Sequence, residues 1–217
     1  MVTFDEILFK TPDKLFTGEA IVDVFSRCIP SIKKPMDLLA KDVDYLLVCL
    51  RKLTYGETMD ITHTHDCEDA KENTYGIAIA PFISTSNKID PTTITKVFTI
   101  KLGEEFTVNL SPPRFKSVVR MYQAVMDQEK FENDVGLLAH EVEDTIVGMI
   151  ADVDGISDKG QISEWVSTIS AGWVREITSA VAQVSDWGPD FKTEITCKDC
   201  GAKVEITTPV NPLAFFI

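Results

Sequence analysis

The chain has 217 residues, enough to bury a sizeable core, and its 44% hydrophobic and 25% charged residues are the balance of an ordinary folded protein, excluding disordered and collagen-like classes. Its net charge of −13 is the opposite of what gripping phosphates requires, which argues against nucleic acid and suits basic protein partners. No apolar run approaches the roughly 20 residues of a membrane span, and the longest, Tyr45 to Leu50, is followed at once by Arg51 and Lys52.

The opening "MVTFDEILFKTPDKLF" has an acid before its first lysine and no continuous apolar stretch, so it is not a signal peptide and a reducing cytoplasm is expected. Five cysteines at 28, 49, 67, 197 and 200 are an odd set that fits thiols or a metal site better than a disulfide framework. Asp42 reads as a helix N-cap, followed by Val43, Leu46, Leu47, Leu50 and Leu53 at helical spacing, with Gly56 closing the helix. "TMDITHTH" and "TYGIAIAP" alternate on either side of the polar "DCEDAKEN", which predicts a hairpin with a long acidic tip. "TITKVFTIKLG" and "EFTVNLSPP" predict a second hairpin.

Helical periodicity then takes over. Phe115, Val118, Val119, Tyr122 and Val125 form one stripe, and Val135, Leu138, Val142, Ile146 and Met149 a second. After the loop "ADVDGISDKGQ", a single third helix is expected through Ile162, Trp165, Val166, Ile169, Trp173, Ile177, Val181 and Val184. "SDWGPD" stops it, and a cysteine hairpin, "EITCKDCGAKVEI", follows. The fold class is therefore α+β, with N-terminal helices and β-hairpins packed with a C-terminal helical region and a terminal cysteine hairpin. Residues 1–110 form the hairpin part and 111–217 the helical part of one integrated domain.

The Cys-x-x-Cys at 197 and 200 supplies two of the four ligands that a tetrahedral zinc site needs. His63, His65 and Cys67 lie on one parity of the first hairpin and are the candidates for the rest, giving a Cys67, Cys197, Cys200 and His65 set. A metal-free hairpin with reduced thiols is the other reading. A redox pair would want its Cys-x-x-Cys at a helix N-terminus instead of between strands. Cys28 and Cys49 fall in apolar-patterned segments and read as small buried residues. His140 belongs on the polar side of its helix, with no nucleophile signature near it. Asp152, Asp154 and Asp158 resemble a calcium loop, but the register places Lys159 and Val166 at ligand positions, so an ordinary loop is preferred. Trp165 and Trp173 read as core or interface. No constellation favours an enzyme. Both a structural protein and a zinc-ribbon-like adaptor for a cellular protein stay open at this point.

The run "AIVDVFSRCIPSIKKPMDLLAKDVDYLLVCLRKLTYGE" resembles the front of the baseplate hub proteins of T-even-type, contractile-tailed bacteriophages. "FTVNLSPPRF", "IADVDGIS…ISEWVSTI" and the closing "CKDCGAKVEI…NPLAFF" follow in the order of that family, over roughly residues 20–216. The resemblance implies a non-enzymatic structural component or assembly chaperone of the tail hub. Its partners would be hub, tape-measure or spike proteins, met in the host cytoplasm during assembly or in the tail itself. The last residues, "PVNPLAFFI", end in large apolar side chains, so Leu213, Phe215, Phe216 and Ile217 are expected to pack back on the domain or to insert into a partner.

Overall fold

The computed structural model describes residues 1, 5, 7–8, 11, 14, 17–67, 70–84, 98–126, 135–184 and 187–208. The expected docking tail, Leu213, Phe215, Phe216 and Ile217, lies outside them, as do residues 93–97 of the second expected hairpin. The fold is α+β, built from helices and short antiparallel sheets. It divides into two units that interleave along the chain. The first takes residues from Met1–Lys10, Lys41–Lys88 and Trp187–Ile217; the second takes residues from Thr11–Ala40 and Ile89–Asp186. Among the described residues no helix is long and apolar enough to cross a membrane.

In the second unit, helix α1 (Glu19–Cys28) buries Ala20, Ile21, Val24 and Phe25. A 3₁₀ turn at Pro35–Asp37 leads to residues 38–40, where Phe115 N–H donates to Leu38 O (2.8 Å) and Ala40 N–H to Pro113 O (3.0 Å). Strands β3 (Phe98–Leu102) and β4 (Phe106–Leu110) form the predicted hairpin, Phe98 opposite Leu110. Helices α4 (Phe115–Met126) and α5 (Val135–Met149) match the two expected stripes.

Two expectations fail here. The stretch read as a loop after Met149 begins with a strand, β5 (Ile150–Val153), which pairs with β4 and completes a three-stranded sheet in the order β3-β4-β5. Four residues are too few for alternation to show, and no glycine or proline separates them from the helix. What makes the turn is long-range: the Lys159 ammonium donates to Val147 O (3.1 Å) and to Ile150 O, satisfying carbonyls at the end of α5, while Asn109 Nδ2 donates to the Asp152 carboxylate (2.9 Å). The single third helix is also two, α6 (Lys159–Thr168) and α7 (Ala171–Val184). Ile169 is extended (φ −76°, ψ 159°), and Ser170 starts the second helix by accepting the Trp173 N–H on its Oγ (3.3 Å). Asp158 caps α6 by accepting the Gln161 N–H (3.0 Å), which places it in a cap instead of a calcium loop. The core of this unit, including Leu102, Leu110, Ile150, Ile162 and Ile177, packs between the sheet and α5–α7. Phe106 meets Trp165 and Trp173 edge-on, with centroids at 5.5 and 5.6 Å, so the tryptophan stripe is packing against the core.

In the first unit, helix α2 (Ala40–Tyr55) buries Val43, Leu47, Val48 and Leu50. It begins at Ala40, two residues before the expected cap, so Asp42 sits in its first turn, where burial raises its carboxyl above the usual range. Leu53, placed in the apolar stripe by spacing, is 83% exposed. Its place on the inner face is taken by Arg51, whose stem is buried while its guanidinium lies 4.5 Å from the Tyr55 ring centroid and donates to Thr58 O (3.4 Å). Gly56 ends the helix at φ +95°. Strands β1 (Thr58–Thr64) and β2 (Glu72–Ala78) form the first hairpin, with Thr58 opposite Ala78 and Thr64 opposite Glu72. A short helix α3 (Ala80–Ser84) buries Phe82 against Phe191, with centroids 5.5 Å apart. Strands β6 (Lys192–Thr196) and β7 (Lys203–Thr207) form the cysteine hairpin, with Ile195 and Ile206 on its buried face. These two hairpins are separate two-stranded sheets.

Cys28 and Cys49 are half-buried, less enclosed than their apolar surroundings suggested. His140 is exposed on α5, as expected.

Candidate metal centre

Each of the two hairpins in the first unit ends in a pair of metal-type ligands. His65 and Cys67 follow β1 by one and three residues, and Cys197 and Cys200 frame the turn between β6 and β7. One donor atom from each of these four residues lies within 4.8 Å of all the others. The Cys200 sulfur is 3.4 Å from His65 Nδ1. His63 shares the parity of His65 but pairs with Asn73 within the β1–β2 ladder and is not part of the cluster.

The turn itself is shaped to present sulfur. Cys197 N–H donates to Ala202 O (2.8 Å), Gly201 N–H donates to Cys197 O (2.9 Å), and Gly201 takes φ +72° with open space around it. The amides of Cys200 and Asp199 then point at the Cys197 sulfur and bring its thiol down to about 6, foremost through the Cys200 amide. The Cys67 thiol is pushed the other way, up to about 11, first by burial and then by the neighbouring sulfurs of Cys200 and Cys197. One sulfur of the trio therefore ionises readily while another resists taking a charge beside it. A dication at the centre relieves that repulsion, and the donor set matches zinc. With Zn–S near 2.3 Å and Zn–N near 2.0 Å, tetrahedral ligands sit roughly 3.5–3.8 Å apart, and the Cys200–His65 separation falls close to that range.

Residues that the sequence pattern did not single out tie the two tips together. The Asp199 carboxylate accepts from Asn73 Nδ2 (2.7 Å) and from Lys71 N–H (3.3 Å). Lys198 N–H donates to the Tyr75 hydroxyl (3.3 Å), and its ammonium donates to Thr74 O and lies 5.2 Å from the Tyr75 ring centroid. For Lys198 and Asp199 the available signal was their place between the two cysteines; Lys71, Asn73, Thr74 and Tyr75 carried none. Beyond Lys198 the hairpins part: Tyr75–Ala78 of β2 and Thr193–Thr196 of β6 line an open groove of about 420 Å³.

A protein-family model described as T4 bacteriophage base plate protein matches residues 5–217. No curated protein and no solved structure matches the chain. With the match running from the first helix-forming residues through both halves of the cysteine cluster, the chain belongs to the T4 bacteriophage base plate protein family.

Proposed function

We propose that this baseplate protein acts at the tail hub, as a structural component or as an assembly chaperone, through contacts with other tail proteins and without enzymatic chemistry. The observation that carries this reading is the family match over residues 5–217, joined to the motif order that resembles hub proteins. A net charge of −13 supports docking on basic protein surfaces and opposes contact with nucleic acid. The protein then works first in the host cytoplasm, where the hub is built, with hub, tape-measure or spike proteins as partners, and the apolar tail Leu213, Phe215, Phe216 and Ile217 serves as the docking element. In the same reading Cys67, Cys197, Cys200 and His65 hold one zinc ion in a purely structural role, all four positions being filled by protein.

The test has two arms. Phage producing the chain without residues 213–217 should accumulate baseplates that lack a completed hub, and normal baseplates from that chain would remove the docking role of the tail. Elemental analysis of the purified full chain should return about one zinc per chain, with Cys197→Ser and Cys200→Ser each losing it.

A further inference from the structure

We infer that zinc is the folding ligand of the first unit alone, so that one chain carries a metal-dependent unit and a metal-independent one. The inference rests on the zinc reading above and goes beyond it, because a structural ion could as well trim a unit that folds without it.

The two hairpins of the first unit each bury apolar residues, Met59, Tyr75 and Ile77 on one and Ile195 and Ile206 on the other, but they are separate sheets. β1–β2 and β6–β7 are each two-stranded, and an isolated two-stranded sheet is at best marginal in water. No strand ladder connects them among the described residues; β2 and β6 face an open groove instead. Among the described residues the hairpins meet at the ligand cluster and through the Asp199 and Lys198 hydrogen bonds beside it, and Phe82 packs on Phe191 next to them. Two ligands come from each tip, so neither hairpin can complete the centre without the other. Cys197 is 2% exposed and sits at the join, so losing the ion removes the one group that would bind its buried sulfur to all three of the other ligands at once.

The second unit is organised differently. Its largest buried cluster runs from Leu102 to Val181, centres on a three-stranded sheet backed by α5–α7, and contains none of the four ligands. Nothing in that core depends on the ion.

Hydrogen exchange on the full chain, read peptide by peptide, separates the two units. Zinc-loaded protein is compared with protein stripped by a zinc chelator and with stripped protein given back zinc or, separately, magnesium. Amides of 58–64, 72–78 and 192–207 should exchange at least 100-fold faster after stripping and recover with zinc but not with magnesium. Amides of 98–110 and 162–181 should not change. A chain shown to have lost its zinc while the hairpins keep their protection would overturn the inference, as would loss of protection in both units together. Cys67→Ser, which removes a ligand without touching the turn at 197–201, should reproduce the stripped pattern; protected hairpins in that variant would count against the inference. Purified chain without zinc would fail the zinc reading itself, a result visible before any chelator is added.

Discussion

At the scale of single residues, backbone freedom and desolvation leave the clearest marks. Gly18 precedes α1 at φ +73°, and an added Cβ would stand 2.9 Å from Val119 Cγ2; Gly56 has φ +95° and nothing within 4 Å. Gly56→Ala thus meets only the left-handed strain of about 1 kcal/mol, while Gly18→Ala meets the same strain plus overlap with a stiff buried valine, about 3 kcal/mol in all. Urea midpoints of the two variants check the difference. Asp44 offers a pH signature. Burial pushes its carboxyl up to about 6, with Lys41, 4.0 Å away, pulling the other way. A folded value above the unfolded one means the fold favours the neutral acid, so its contribution is complete below about pH 4 and is lost as pH rises through about 6. Asp44→Asn should therefore stabilise the protein at pH 7.5 by about 1 kcal/mol, a figure reduced for the 31% exposure of the side chain, and should have little effect at about pH 3, where the carboxyl is protonated in both states. Urea titrations at the two pH values measure it. At this scale the site was legible in outline: period-2 parity and a Cys-x-x-Cys named all four clustered residues. The choice of His65 over His63 depends on where β1 leaves its ladder, and the exposure of Leu53 depends on what faces α2; neither is a local property of the chain.

At the scale of elements, the hairpins and α4 and α5 could be read because their apolar residues keep one period for long enough. β5 could not, since four residues follow a helix with no punctuation and are extended only because β4 lies alongside. The break between α6 and α7 was hidden for another reason: Ile169 and Trp173 keep helical spacing across it, and only the side chain of Ser170 marks the restart. Ser170→Ala removes that cap and should cost about 1 kcal/mol, seen as a lower thermal midpoint with Trp165 and Trp173 fluorescence as the probe.

At the scale of the whole molecule, the elements group into units that do not follow the order of the chain. Residues 110 and 111 both lie inside the second unit, and the first is assembled from three separated stretches. Contacts between segments far apart carry no periodic signal, so such a grouping is invisible to patterns of apolar spacing. It has a consequence for synthesis. Cys197 follows Cys67 by 130 residues, which a ribosome adding 5–20 residues per second needs between about 6 and 26 s to cover. During that interval the nascent chain exposes His65 and Cys67 alone, half a clasp, while every residue of the second unit's core leaves the ribosome ahead of Cys197. Completion of the first unit thus follows that of the second unit's core, and a chain that stops short of Cys200 lacks β7 as well, leaving a finished core beside a single unclasped tip at His65 and Cys67.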